Sequence, residues 1–443
     1  MYKAKVVKLS VKPHPNADRL ALGYVNGIQV IVGKDTQNGT IGVFFPCDGQ
    51  IAPEFLKLHN LYRHANLNQD TTKQGYFDDS GRVSAEKLRG ERSDGFFCAI
   101  SDFVYTGYDL SKLELGTEFD ELNGHKICEK YYTPATRMAM KHTSKRAKMT
   151  QADYNLPRHF ETEQLQYNLD KIDEGDIVII SEKLHGSSSR IGYVQVERQV
   201  KLNFWQRLYN RLPLPKFQAV TRNYELVVGT RNTIADWITP DSSEYYRIEL
   251  AKPLEGLLKK GEVVYAEIVG FDSTGKHIMN PQGTNKLPEI KRQYGNVMEY
   301  RYGCRWNEVG KPQRKMFVYR ITQVNEDGYE QELSWYQVKA RCQELGLETV
   351  PELVVYFNEY SDKQGLSLAT YLVDIQTKLL NICENVVKGN SILDDTHIRE
   401  GIVVRLEKAN GRMKCYKHKS FEFKVLEGIL KQDDNYVDTE EIS

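Results

Sequence analysis

The chain has 443 residues, 40% of them hydrophobic and 27% charged, and its 60 basic side chains balance 60 acidic ones. This length carries two or three domains whose cores need no disulfide support. No apolar run approaches the ~20 residues of a membrane span, and a neutral total leaves nucleic acid open as a partner, because phosphates respond to local fields. The 7 cysteines (Cys47, Cys98, Cys128, Cys304, Cys342, Cys383 and Cys415) lie scattered, without a close pair of metal-ligand spacing. That usage argues against a zinc site and for a reducing cytoplasm.

From the N-terminus, MYKAKVVKLSV alternates like a strand and lacks the apolar core of a signal peptide. Val6–Leu9, Gln29–Val32 and Ile41–Phe45 are further strand candidates, separated by turn signals at residues 14–18, Asn26-Gly27 and Gln37-Asn38-Gly39. Many short strands at this spacing suggest an OB-like β-barrel over residues 1–133, with a polar excursion at 56–82. A basic linker at 134–150 follows, carrying Lys141, Lys145, Arg146 and Lys148. Residues 151–430 mix strands (176–180, 263–269, 315–321, 401–405) with helical periodicity at 335–346 and 366–387. An acidic tail occupies 431–443.

Lys183 ends an apolar strand and precedes Leu184-His185-Gly186 and three serines. A lysine beside a glycine and small hydroxyl residues can approach a phosphate closely, and it becomes a nucleophile once its pKa is lowered. Further along, Arg231 and Asn232 follow a strand, and Glu267 sits inside an apolar one. Glu400 opens the next strand, and Lys417 and Lys419 share one face of an extended segment, since side chains alternate. Each residue alone has a bland reading as a loop, edge or solvated-face charge. Together they form an ordered set.

In this order the segments resemble the nucleotidyltransferase motifs of the polynucleotide ligase and capping-enzyme superfamily, and most of all ATP-dependent RNA ligases. Lys183-Leu-His-Gly resembles the nucleotidyl-lysine motif, and residues 160–168 resemble the segment that closes over adenine. The resemblance covers roughly 151–425 and implies an α+β chain with a mixed α/β, ATP-grasp-like adenylation domain. It implies that Lys183 attacks the α-phosphorus of ATP. Glu163, Gln166, Asn168, Glu182 and Gly186 line the adenine and phosphate site, and Tyr319 is the nucleobase platform, on the same strand face as Phe317. Arg231 contacts the nucleotide and the RNA end, and Glu267 lies near the ribose or the metal. Glu400 helps hold magnesium, with manganese as an alternative, while Lys417 and Lys419 hold the α-phosphate. His185 stands where many relatives have aspartate, and Ser188 where they have asparagine or arginine.

Pro13–Leu20 and residues 25–32 are similar to the opening of OB-type modules, and residues 87–95 to the N-terminal OB domain of one RNA ligase branch. The segment after Lys419 is too short for the C-terminal OB domain of DNA ligases and capping enzymes. The implied activity is sealing of RNA 3′-hydroxyl and 5′-phosphate ends, including those of a nicked duplex, by a cytoplasmic enzyme that needs no membrane or obligate protein partner. The basic, aromatic insertion at 199–221 (Lys201, Phe204, Trp205, Arg207, Tyr209, Arg211, Lys216) is either an RNA clamp or a packing helix. A DNA ligase or guanylyltransferase using the same lysine, and a non-catalytic RNA-binding protein, are the competing readings.

Overall fold

The computed structural model describes residues 2–427, apart from 26, 48, 134–135, 139–153, 161, 174, 200–203, 211–219, 236–237 and 358–367. The basic cluster of the linker, most of the 199–221 insertion and the acidic tail therefore lie outside the described residues. The expected strands form and extend a little past the sequence estimate. They are Ile177–Lys183, Glu262–Gly270, Arg314–Val324 and Gly401–Glu407, with helices at Trp335–Leu345 and Leu368–Val386. Ser334 caps the first of these helices by accepting from the Gln337 N–H, and Gly346 ends it in the left-handed conformation.

Two sheets build the part that follows the linker. A five-stranded sheet runs in the order Glu163–Gln164, Met413–Lys419, Gly401–Glu407, Ile177–Lys183, Glu352–Phe357. The second sheet runs Val220–Gly229, Ser187–Gln199, Glu262–Gly270, Arg314–Val324, Glu330–Glu332, with Glu348–Thr349 beside the fourth of these. Strands buried on both faces read as continuous apolar runs. Accordingly, Val178, Ile180, Ile402, Val404 and Leu406 pack under Leu379 and Cys383 of the long helix. A larger core containing Ile179, Leu184, Ile191, Val264 and Phe317 fills the other side.

The N-terminal region is β-rich, as expected. Its strands fall into small separate sheets, one ordered Gly95–Ala99, Ile41–Pro46, Ala4–Lys8, Glu118–Phe119 and another formed by Ser10–Pro13, Leu20–Val25 and Ile28–Gly33. Among the described residues no continuous ladder closes them into a barrel. A short helix, Pro53–Leu58, leads into the polar excursion. This region packs on the rest of the chain through Lys5–Asp170 at 2.7 Å, Phe44 against Tyr167, and Arg92 over the Phe421 ring. Among the described residues, no helix is long and apolar enough to cross a membrane.

Candidate active site

Strand alternation decides which residues of the five-stranded sheet reach the second sheet. Ile179, Ser181 and Lys183 line a cavity of about 110 Å³, joined by Val403 and Arg405 and by Cys415 and Lys417. From the facing sheet and its loops come Ser188, Arg231, Glu267 and Tyr319. The chain brings Lys183, Arg231, Glu267, Tyr319 and Lys417 together from distant segments.

Local geometry fixes the turn after Lys183. The His185 backbone N–H donates to the Tyr302 hydroxyl at 2.7 Å, and Tyr302 is fully buried with φ of 50°. At Gly186 an added Cβ would lie 2.5 Å from the Ile268 carbonyl oxygen and 2.8 Å from Glu267 Cγ. Only glycine lets the chain pass this close to the neighbouring strand.

Behind Lys183 lies a buried charge network. Glu400 is wholly buried, with Oε1 2.8 Å from Lys183 Nζ and 3.3 Å from Lys419 Nζ, and Oε2 3.6 Å from His185 Nδ1. Burial alone would raise the Glu400 carboxyl, but the two lysines and His185 outweigh it and bring the pKa down to about 2. Lys419 also donates to both oxygens of Glu427, at 3.0 and 2.9 Å. Burial raises the Glu427 carboxyl, Lys419 opposes this, and the Glu400 charge adds to it, so its pKa ends above the ordinary value. The Lys183 side chain, 15% exposed, is where this network opens to the cavity.

A divalent cation can be tested against these residues. Both Glu400 oxygens are buried without a well-directed hydrogen bond, despite the nearby ammonium groups, and so keep lone pairs for the waters of a cation. Among the described residues no three His, Cys, Asp or Glu side chains converge to cage a metal directly. Magnesium needs only one or two carboxylates beside substrate phosphates. Glu400 fits that demand.

The opposite end of the cavity is aromatic. His159 stacks on Phe160 with ring centroids 5.3 Å apart and an interplanar angle of 15°. Its Nδ1 is 2.5 Å from the Phe160 carbonyl oxygen, so we assign the proton there and let Nε2 accept from the Tyr319 hydroxyl at 2.6 Å. Burial, and after it the charge of Arg231, push the His159 pKa down to about 3, which keeps the ring neutral. Arg190 anchors this end. Its buried guanidinium donates to the carbonyls of Thr230 and Pro157, each at 2.6 Å, tying the loop of Arg231 and the approach to His159 onto one strand.

Other candidates sit differently. Tyr319 is the extra residue of a β-bulge, since Tyr265 pairs with Arg320 and Ala266 with Val318. The bulge re-aims the strand, so Tyr319 lines the cavity while Phe317 is buried in the core. Glu182 borders the cavity, yet its carboxylate accepts from the Ile392 N–H at 2.9 Å and lies 3.6 Å from Arg399. Glu163, Gln166 and Asn168 do not line the cavity. Glu163 and Gln164 pair with Tyr416 and Lys417, and Asn168 donates to the Gln164 carbonyl. Ser188 donates to Glu267 at 3.1 Å, and Lys417 lines the cavity whereas Lys419 belongs to the buried network. Sequence reasoning included Phe160 only within the adenine-like segment and missed His159, Tyr302 and Glu427. Of the three missed, only His159 had a signal, its position next to that segment.

A family model described as RNA ligase matches residues 176–426. No curated protein matches the sequence. Among solved structures, a Naegleria gruberi RNA ligase variant with AMP and Mn is 14% identical, covers 94% of this chain and 96% of that chain, and superposes with a TM-score of 0.53. The same ligase with PPi is 15% identical, covers 95% and 97% of the two chains, and gives a TM-score of 0.53. A further variant with ATP and Mn is 14% identical and covers 97% and 99%, again with a TM-score of 0.53. At such identity the likeness is one of fold.

Proposed function

Since the chain belongs to the RNA ligase family, we propose that it joins an RNA 3′-hydroxyl to an RNA 5′-phosphate, using ATP and a lysyl-adenylate on Lys183. The observation that carries this reading is the position of Lys183. Its Nζ leaves a buried network of Glu400, Lys419 and Glu427 and enters a cavity that also receives Lys417 and Arg231.

In the first step Lys183 Nζ bonds to the α-phosphorus of ATP, the α–β P–O bond breaks, pyrophosphate leaves, and the amine gives up its proton to water. The attacking amine is neutral, so Lys183 must first leave Glu400, which retains Lys419 at 3.3 Å as its counter-ion. Lys417 and Arg231 offset charge on the phosphates in a site shielded from water, where such groups act most strongly. A magnesium or manganese ion held through water by Glu400, with Glu267 as the second carboxylate, would supply further neutralisation. Adenine lies at the Tyr319 end, beside His159 and Phe160. An RNA 5′-phosphate oxygen then takes the adenylate from Lys183, and a 3′-hydroxyl attacks that 5′-phosphorus, releasing AMP.

We further propose residues 1–133 as an RNA-gripping module of the OB type, residues 151–430 as the adenylation domain, and a cytoplasmic setting that suits the scattered cysteines. The test is metal-dependent covalent labelling by α-labelled ATP in wild type and Lys183→Ala, followed by sealing of nicked duplexes with RNA or DNA on the 3′-hydroxyl side. Label from ATP that is lost in the variant is expected. Label from GTP alone would point to a capping enzyme instead. Sealing of DNA nicks in preference to RNA would point to a DNA ligase.

A further inference from the structure

A second cleft, of about 740 Å³, lies in the N-terminal region between Ile28–Gly33, Gly95–Ala99 and the excursion that carries Arg63, Tyr76 and Arg82. Its volume falls within the range of small-ligand sites, and its walls are largely apolar, as such sites require. Nothing in the reaction described above uses it.

Three observations narrow what it holds. Tyr76 is 42% exposed and is braced by Phe77, with ring centroids at 4.5 Å, and by Phe96 at 5.9 Å, which gives the cleft a fixed aromatic edge. Arg82 is 9% exposed and makes no ion pair among the described residues, and its buried Nε has no hydrogen-bond partner there. Its guanidinium is held over the Tyr131 ring at 4.8 Å. Its terminal nitrogens make no hydrogen bond or ion pair among the described residues and Arg82 lines the cleft, so the guanidinium has donors for an acceptor on whatever enters. Finally, Asp35 and Asp78 share the lining with Arg63 and Arg82, so the formal charges cancel. A cleft without net positive charge is a poor trough for backbone phosphates.

An apolar peptide side chain would fill the volume and leave Arg82 without an acceptor. A planar base with a carbonyl edge meets both demands, stacking on an aromatic face and accepting from arginine. The cleft also adjoins the adenylation domain. Ser93 and Gly95 line it, and between them and the helix Phe421–Leu426 the Arg92 guanidinium lies 5.5 Å over the Phe421 ring. That helix starts two residues after Lys419.

We propose that this cleft binds one unpaired guanine or uracil of the RNA strand flanking the break, with the base stacked on Tyr76 and its carbonyl on Arg82. The assignment rests on the RNA ligase reading above and adds a specific base subsite to it. The test uses the full chain and a short oligoribonucleotide containing photoreactive thiouridine, with mass spectrometry of the crosslinked peptides. Crosslinks in the peptides containing Tyr76 or Phe96 are expected. Binding should weaken about tenfold, the size of one lost base stack, in Tyr76→Ala and in Arg82→Met, while labelling of Lys183 by ATP is unchanged. Because Tyr76 is exposed, its variant keeps the test readable if Arg82→Met is unstable. Crosslinks confined to other surfaces, with both variants binding RNA like the wild type, overturn the proposal and leave the cleft to an apolar protein segment. Loss of the ligase reading shows separately, as absence of ATP label in the wild type, and leaves the crosslinking result to be judged by itself.

Discussion

At Lys183 four charged side chains, Lys183, Glu400, Lys419 and Glu427, crowd behind a cavity of about 110 Å³, whereas the N-terminal cleft opens about 740 Å³ walled by aromatic and aliphatic residues. The difference suits what each is proposed to do. Phosphoryl transfer gains from charges held in place away from water, where little rearrangement is needed during reaction. Base recognition gains from contact area and a few well-placed donors. Volume alone would have selected the cleft as the catalytic centre. The buried network of paired charges is the better guide, because strongly perturbed titratable groups cluster where chemistry is done.

The contrast within the lysine pair should give the largest effects. Lys419 is buried against Glu400 and Glu427, while Lys417 faces the cavity. Removing one partner of a buried ion pair costs roughly 3–5 kcal/mol, so Lys419→Met should lose that much unfolding free energy in urea. Lys417→Met should change it by less than about 1 kcal/mol, as expected for a partly exposed charge. Both should lose adenylate formation. Equal stabilities in the two variants would break the distinction between a structural and a phosphate-facing lysine.

Acid should sharpen it next. The folded His159 pKa is about 3 against an ordinary value of 6.5, so the unfolded chain binds the extra proton first. Stability from this residue is complete above about pH 6.5 and is lost as pH falls toward about 3, by up to about 1.4 kcal/mol per pH unit. Glu400, at about 2 when folded, contributes in the same direction but only below the ordinary carboxyl value of 4.5. Glu427, with a raised pKa, works the other way and gains on acidification. Between pH 6.5 and 5 His277 and His397, both lowered by burial, act with His159 and the raised Glu427 acts against it, so the difference between wild type and His159→Phe reports this residue, and the variant should flatten the slope there. An unchanged slope would remove the neutral His159 from the aromatic end of the site.

A smaller loss is expected where the turn after Lys183 is held. Tyr302→Phe keeps the ring but leaves the His185 N–H without its acceptor. A buried donor left unsatisfied costs about 1–3 kcal/mol. Thermal unfolding should register that loss, and the rate of lysyl-adenylate formation should fall with it. A variant that unfolds earlier yet adenylates at the wild-type rate would show that this bond supports the fold and not the aim of Lys183.

Much of this arrangement was legible before any coordinates. The apolar runs ending at Lys183 and containing Glu267 marked strands correctly, because a strand buried on both faces declares itself by composition. The helix at Trp335–Leu345 was legible from its periodicity over 335–346. What stayed hidden depends on register and long-range pairing. Strict alternation put Phe317 and Tyr319 on one face, but a one-residue bulge at Tyr319 breaks the alternation, and of the two only Tyr319 lines the cavity. Alternation could instead have warned that Glu182, next to Lys183, turns its carboxylate toward Ile392 and Arg399. Glu427 and Tyr302 carry no local pattern at all. They matter only because helix Phe421–Leu426 and the turn at Tyr302 fold back against His185 and Lys419. The cleft is equally illegible, since Arg82 and Tyr76 meet Phe96 only through sheet assembly.

The smallest effect concerns Ser188. It is paired with Glu267 across adjacent strands, and its hydroxyl donates to that carboxylate at 3.1 Å. Ser188→Ala removes a part-buried hydrogen bond, a change of about 1 kcal/mol, without altering the backbone pairing. Glu267 loses one of the donors that orient it toward the cavity. If the two regions divide labour as argued, the ATP concentration for half-maximal labelling of Lys183 should shift by less than about tenfold, which corresponds to 1.4 kcal/mol. RNA affinity measured on the same protein should not move, because Ser188 lies in the cavity and not in the cleft. A Ser188→Ala protein that binds RNA more weakly while its ATP dependence stays fixed would show that the cavity, beyond seating the 5′-phosphate end, carries the RNA affinity assigned to the cleft, and would dissolve the separation between the two.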